Sequence, residues 1–129
     1  MVVDTSALIA ILLLEPEAER FTMAIADARP RLLSAANLLE AGIVIEGRLG
    51  LEAGGDLDQF VTDVDLEVEP VTVAQVRVAR QAYRIYGRGN HPAGLNFGDC
   101  FAYALAKTTG LPLLFKGDDF AQTDITPAD

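Results

Sequence analysis

The sequence predicts an α/β fold in which a parallel sheet is covered by helices on both faces. Three observations carry that prediction. Short apolar runs at residues 1–3, 31–34, 66–71 and 111–115 alternate with longer segments of helical periodicity, the pattern that builds parallel sheets. The first and last runs, Met1-Val2-Val3 and Leu111-Pro112-Leu113-Leu114-Phe115, contain no charge, as expected of strands buried on both sides. The chain has 129 residues, half of them hydrophobic and 22% charged. Such a length suits one domain of about 100–200 residues, so residues 1–129 are expected to fold as a single unit.

Each element has its own local reason. The first strand stops at Asp4, Thr5 or Ser6 can cap the next segment, and residues 7–14 read as a buried helix. Pro16 breaks that helix and opens a second over residues 17–28, with Ala18, Phe21, Ile25 and Ala28 on one face; Pro30 ends it. Residues 31–34 form the second strand, and Ser34 caps a long helix over residues 35–49 that Gly50 closes. Residues 52–69 hold seven acids and no Lys or Arg, with Leu57, Phe60, Val61 and Val64 as a helical apolar face. Residues 66–71 alternate as a third strand, and Thr72 caps a helix through Tyr86. Three Gly and one Pro within residues 87–94 make a loop. Asn96 caps a helix over residues 97–109 closed by Gly110, and the fourth strand runs into Lys116-Gly117-Asp118-Asp119.

Composition narrows the function. Ten basic against nineteen acidic residues give a net charge of −9, which excludes a domain that holds nucleic acid by bulk positive charge. The single cysteine, Cys100, excludes an internal disulfide and a cysteine-based zinc cluster, and suits a reducing compartment. The apolar stretch at residues 5–14 is half the length of a membrane span and follows no basic residue. A cytoplasmic protein with no membrane association is expected.

Open α/β sheets bind ligands beyond the carboxyl ends of their strands, and this sequence puts acids there. Asp4 follows the first strand, Asp118 and Asp119 follow the fourth, Asp99 lies in the first turn of the helix leading into the fourth, and Glu40 interrupts an apolar stretch of the long helix. Any one of them is explained by capping or by the helix dipole. Four together are not, because carboxylates within ~4 Å repel by about 4 kcal/mol per pair at an effective dielectric of ~20. Hard divalent cations, Mg²⁺ or Mn²⁺, relieve that repulsion and can activate water for attack on phosphorus, which is nuclease chemistry. The only histidine, His91, sits in the glycine-rich loop and leaves no multi-histidine zinc site.

Four segments, in order and spanning nearly the whole chain, resemble the PIN domain ribonucleases, specifically the VapC toxins of type II toxin-antitoxin systems. They are Val2-Val3-Asp4-Thr5-Ser6-Ala7-Leu8, Asn37-Leu38-Leu39-Glu40, Leu95-Asn96-Phe97-Gly98-Asp99-Cys100 and Leu113-Leu114-Phe115-Lys116-Gly117-Asp118-Asp119-Phe120. The resemblance implies a three-layer α/β/α fold with a central sheet of four to five strands. It also implies a Mg²⁺- or Mn²⁺-dependent endoribonuclease, inhibited by a VapB antitoxin and usually homodimeric. Asp4, Glu40 and Asp99 match the family's metal-binding acids. The fourth is Asp118 or Asp119, with Asp119 favoured by the family's Gly-x-Asp-Phe pattern, and Ser6 or Thr5 would help to hold a metal-bound water.

Further features bear on RNA. Arg77, Arg80, Arg84 and Arg88 recur at spacings of three and four, a stripe that could track phosphates, pair with nearby acids or meet an antitoxin. Lys116 could contact a phosphate or pair with Asp118. Tyr83, Tyr86, Phe97, Phe101 and Tyr103 fit core or dimer packing better than base stacking, and Cys100 reads as a small buried residue with no histidine to activate it. Two rival readings are a phosphoacceptor receiver domain, which needs paired acids after its first strand where this chain has only Asp4, and a catalytically silent binding module, which has no use for the whole set of acids.

Overall fold

Strand β1 (Val2–Val3) lies at the centre of the sheet because it is uncharged and fully buried on both faces. The computed structural model describes residues 1–129. β2 (Leu32–Ser34) and β4 (Leu113–Leu114) pair with β1 on either side, β3 (Glu67–Glu69) pairs with β2, and all pairings are parallel in the order β3-β2-β1-β4. A further parallel bridge joins Leu113 to Pro127. The expected strand count of four to five is met.

Period-two alternation sorts the strand residues between two cores. Val3, Leu33 and Leu114 join Leu8, Phe21, Ile25 and Leu57 on one face; Val2, Leu32 and Leu113 join Leu95, Tyr103, Leu105 and Phe120 on the other. The first face is covered by α1 (Thr5–Leu12), α2 (Ala18–Asp27), α3 (Ala35–Leu49) and α4 (Ala53–Asp63), the second by α5 (Val73–Tyr86) and α6 (Phe97–Thr109). These are the three layers.

Some local expectations need correcting. The cap of α1 is Asp4, whose carboxylate accepts from the Ser6 N–H at 3.0 Å, and not Thr5 or Ser6. α1 ends at Leu12, and Leu14 lies outside it at φ 54° and 85% exposed, because the chain must reverse before Pro16. β3 is shorter than residues 66–71 and is an edge strand: Leu66 is buried, but Val68 is exposed and no strand lies beyond. Ser34, Thr72 and Asn96 cap α3, α5 and α6 as expected, and Gly110 ends α6 in the left-handed conformation.

The chain travels outward from β1 to β3, then crosses back through α5 and α6 to lay β4 on the other side of β1. Strand order therefore reverses between β1 and β4. The crevice at that reversal is where doubly wound sheets hold ligands.

Candidate active site

Asp4 leaves β1 at this crevice with its backbone N–H donating to Leu114 O at 2.9 Å. Its two carboxylate oxygens have different fates. Oδ2 accepts from the Ser6 N–H and, at 2.7 Å, from the Ser6 hydroxyl, whereas Oδ1 is buried with no partner. Burial pushes the Asp4 carboxyl up to about 7, against the bonds from Ser6, with a smaller upward push from the charges of Asp99 and Glu40.

Asp99 reaches the same region from the first turn of α6. Its Oδ2 accepts from the Asn96 N–H and its own N–H donates to Asn96 Oδ1, both at 2.9 Å, a reciprocal capping box. Here too desolvation dominates and pushes the carboxyl up to about 6; Asp119 and Glu40 add to the rise, and Arg88 opposes it. The cap accounts for one oxygen of Asp99. It does not account for the other acids whose charges act on Asp4 and Asp99.

Glu40 projects from α3 against the start of α6. A Cβ at Gly98 would lie 2.0 Å from Glu40 Oε2, so only glycine at that position leaves room for the carboxylate. Asn37, buried one turn earlier, bridges the two helices by donating from Nδ2 to Gly98 O at 3.0 Å and to Glu40 Oε1 at 3.3 Å. Sequence reasoning gave Asn37 and Gly98 no role. The available signal was the spacing Asn37, Ala41, Ile45, which puts an amide on the buried stripe of α3.

The structure thus brings Asp4 within electrostatic reach of Glu40 and Asp99, and Asp99 within reach of Glu40 and Asp119. Both candidates for the fourth acid, Asp118 and Asp119, are exposed in the turn after β4. The charge of Asp119 acts on Asp99, and the backbone carbonyl of Asp118 accepts from Gln122 Nε2 at 3.3 Å. No three acids close on one point at ligating distance. The donor set fits a hard cation: oxygen ligands only, one of them a buried and unpaired carboxylate oxygen.

The remaining candidates surround this set without joining it. Ser6 Oγ donates to Asp4 Oδ2 and accepts from the Lys116 N–H at 2.9 Å, tying the ends of β1 and β4 together. Thr5 turns away and donates to Asn37 O at 3.3 Å. Lys116 does not pair with Asp118; its ammonium sits between Glu15 and Glu17, the acids that flank Pro16 in the α1–α2 turn. Arg77, Arg80, Arg84 and Arg88 are all exposed and none forms an ion pair within 4.0 Å. His91 stays in its loop, where Nδ1 accepts from the Ala93 N–H and the ring meets Tyr86 edge-on. Cys100 is buried, and burial lifts its thiol to about 11, which leaves it inert as a nucleophile. Among the aromatics Tyr103 is in the core and Tyr86 and Phe101 are half-buried, but Phe97 is 79% exposed and forms no part of the core.

The fold and the acidic crevice define a class, and comparison with known proteins agrees: the PIN domain family model matches residues 1–125. The chain belongs to the PIN domain family and, within it, to the VapC branch. It is 52% identical over 125 residues to Ribonuclease VapC30 of Mycobacterium tuberculosis, covering 97% of this chain and 95% of that protein. To Ribonuclease VapC of Mycolicibacterium smegmatis it is also 52% identical, with 97% of both chains covered. Among solved structures, that of VapC20 of Mycobacterium tuberculosis, described as a sarcin-ricin loop cleaving toxin, superposes with a TM-score of 0.77 at 20% identity over 97% of this chain and 95% of that one. The receiver-domain reading is set aside by this membership and by the position of Glu40 inside a helix.

Proposed function

We propose that this chain is a divalent-metal-dependent endoribonuclease, the toxin of a VapBC-type pair, acting through Asp4, Glu40, Asp99 and Asp119. Close kinship to ribonucleases named VapC supports the activity. The observation that carries the mechanism is the buried, unpaired Oδ1 of Asp4, in a carboxyl that feels the charges of Asp99 and Glu40, at the topological switch point. Asp4, Asp99, Glu40 and Asp119 would hold Mg²⁺ or Mn²⁺, with Asp119 favoured over Asp118 by the action of its charge on Asp99. When bound, such a cation activates water and neutralises charge on the leaving oxygen.

The chain's own groups do the rest. Asn37 and Gly98 fix the Glu40 carboxylate against α6, and the Asn96 capping box fixes Asp99. Ser6 holds Asp4 and would orient a metal-bound water, a role that the bond of Thr5 to Asn37 O makes less apt for Thr5. Arg77, Arg80, Arg84 and Arg88 offer unpaired charge to RNA phosphates beside a site that would otherwise repel them. Lys116 instead ties the α1–α2 turn to the sheet.

Residues 1–129 act as one PIN domain. The partners are RNA, a VapB-type antitoxin and a second copy in a homodimer. No helix is long and apolar enough to cross a membrane, and the proposed place of action is the cytoplasm, where the RNA is.

The test is cleavage of total cellular RNA by purified protein with Mg²⁺, with Mn²⁺ and with EDTA. Cleavage that needs the metal and disappears in Asp4→Asn and Asp99→Asn supports the mechanism. Cleavage in EDTA, or unchanged cleavage in both variants, overturns it.

A further inference from the structure

The groove between α5 and α6 is an open, largely apolar concavity. It encloses about 600 Å³ between Val76, Arg80, Tyr83 and Arg84 of α5 and Phe97 and Phe101 of α6, a size typical of ligand sites. Helical periodicity builds both walls: Val76, Arg80, Tyr83 and Arg84 share one face of α5, and Phe97 and Phe101 stand one turn apart on α6.

Two features do not suit a merely structural groove. Phe97, the first residue of α6, is 79% exposed, and its ring is held edge-on to Phe101 at 4.9 Å between centroids, which leaves a face open. Arg80 and Arg84 at the rim form no ion pair although the chain carries nineteen acids. Unpaired guanidinium groups beside an open aromatic face are the components of single-stranded nucleic-acid recognition, in which bases stack and phosphates are paired.

We propose that this groove is a subsite for one unpaired nucleotide of the substrate RNA, with a base stacked on Phe97 and the flanking phosphates on Arg80 and Arg84. The inference rests on the ribonuclease reading above and deepens it: Phe97, two residues before Asp99, positions the strand, and the enzyme selects RNA with a base free to leave its stack. Phe97 is thus a positioning residue and takes no part in bond breaking.

The probe is a single-stranded RNA 12-mer carrying 2-aminopurine, titrated in low-salt buffer with EDTA so that binding is read without cleavage. The wild type is expected to quench the fluorophore. Phe97→Ala should abolish the quench and weaken binding about 5- to 100-fold, and Phe97→Trp should restore both, with melting temperatures unchanged. Arg80→Glu should weaken binding more at low salt than at high salt. Wild-type affinity and quench in Phe97→Ala would overturn the subsite while leaving metal-dependent cleavage untouched. A Phe97→Ala protein that changes oligomeric state in sedimentation but binds the 12-mer as the wild type would overturn it in favour of a self-association surface. Should no RNA be cleaved with any metal, Phe97-dependent quenching would still be measurable, so the two readings fail separately.

Discussion

Asp4 uses one carboxylate oxygen to build the fold and leaves the other to the site. Oδ2 caps α1 through Ser6, while Oδ1 is buried and unpaired, an arrangement that costs stability whenever the carboxyl is charged. Asparagine keeps a capping oxygen and removes the charge. Asp4→Asn is therefore expected to stabilise the metal-free protein by about 1–2 kcal/mol at pH 8 while abolishing cleavage, as checked by thermal melts in EDTA and by an RNA cleavage assay. A less stable variant would show that the native carboxylate has a partner other than Ser6.

At the level of the elements, the site depends on how closely α3 meets α6. Gly98→Ala should gain about 1 kcal/mol in helix propensity on local grounds, yet its Cβ would lie 2.0 Å from Glu40 Oε2. The displaced part is the end of a flexible side chain, so the fold is expected to survive and the Glu40 carboxylate to move. The expected result is a melting temperature close to that of the wild type in EDTA, at least a tenfold loss of cleavage and a smaller rise in melting temperature on adding metal. The other end of α6 offers a purely structural contrast. Gly110 closes the helix at φ 71° with nothing near its Cβ position, so Gly110→Ala should cost about 1 kcal/mol with no effect on cleavage at a temperature where the variant is folded.

The whole molecule couples its stability to protons and to metal through the same acids. Asp4 and Asp99 have folded-state values near 7 and 6, above the ordinary carboxylate range, chiefly because they are desolvated. A raised value means that the folded state binds the proton more tightly than the unfolded chain. Their contribution is therefore fully present below about pH 4 and is lost as pH rises through about 6 to 7. Metal-free protein is expected to melt at a temperature lower by on the order of 5 °C at pH 8 than at pH 5. Metal that binds only the native state reverses this, by about 2.7 kcal/mol at a concentration 100-fold above its dissociation constant. Because protons compete for the same oxygens, the rise on adding Mg²⁺ or Mn²⁺ should be larger at pH 8 than at pH 5 and reduced in Asp99→Asn. Differential scanning calorimetry at the two pH values, with and without EDTA, measures both.

Much of this architecture is legible in the sequence. The alternation of short apolar runs with helices specifies a parallel sheet, because such strands have no polar face to turn to water. Ser34, Thr72, Asn96 and Gly110 mark helix ends because capping chemistry is local, and Asp4, Glu40, Asp99 and the pair Asp118 and Asp119 stand out because charge next to apolar runs needs a reason. Packing across distant segments has no such signature. Only the folded chain commits Lys116 to Glu15 and Glu17, gives Asn37 and Gly98 their place beside Glu40, and leaves Phe97 outside the core. Each of these depends on which side chains meet across the sheet reversal between β1 and β4. Hydrophobic period and capping are properties of neighbours along the chain, whereas burial and electrostatic coupling are properties of neighbours in space.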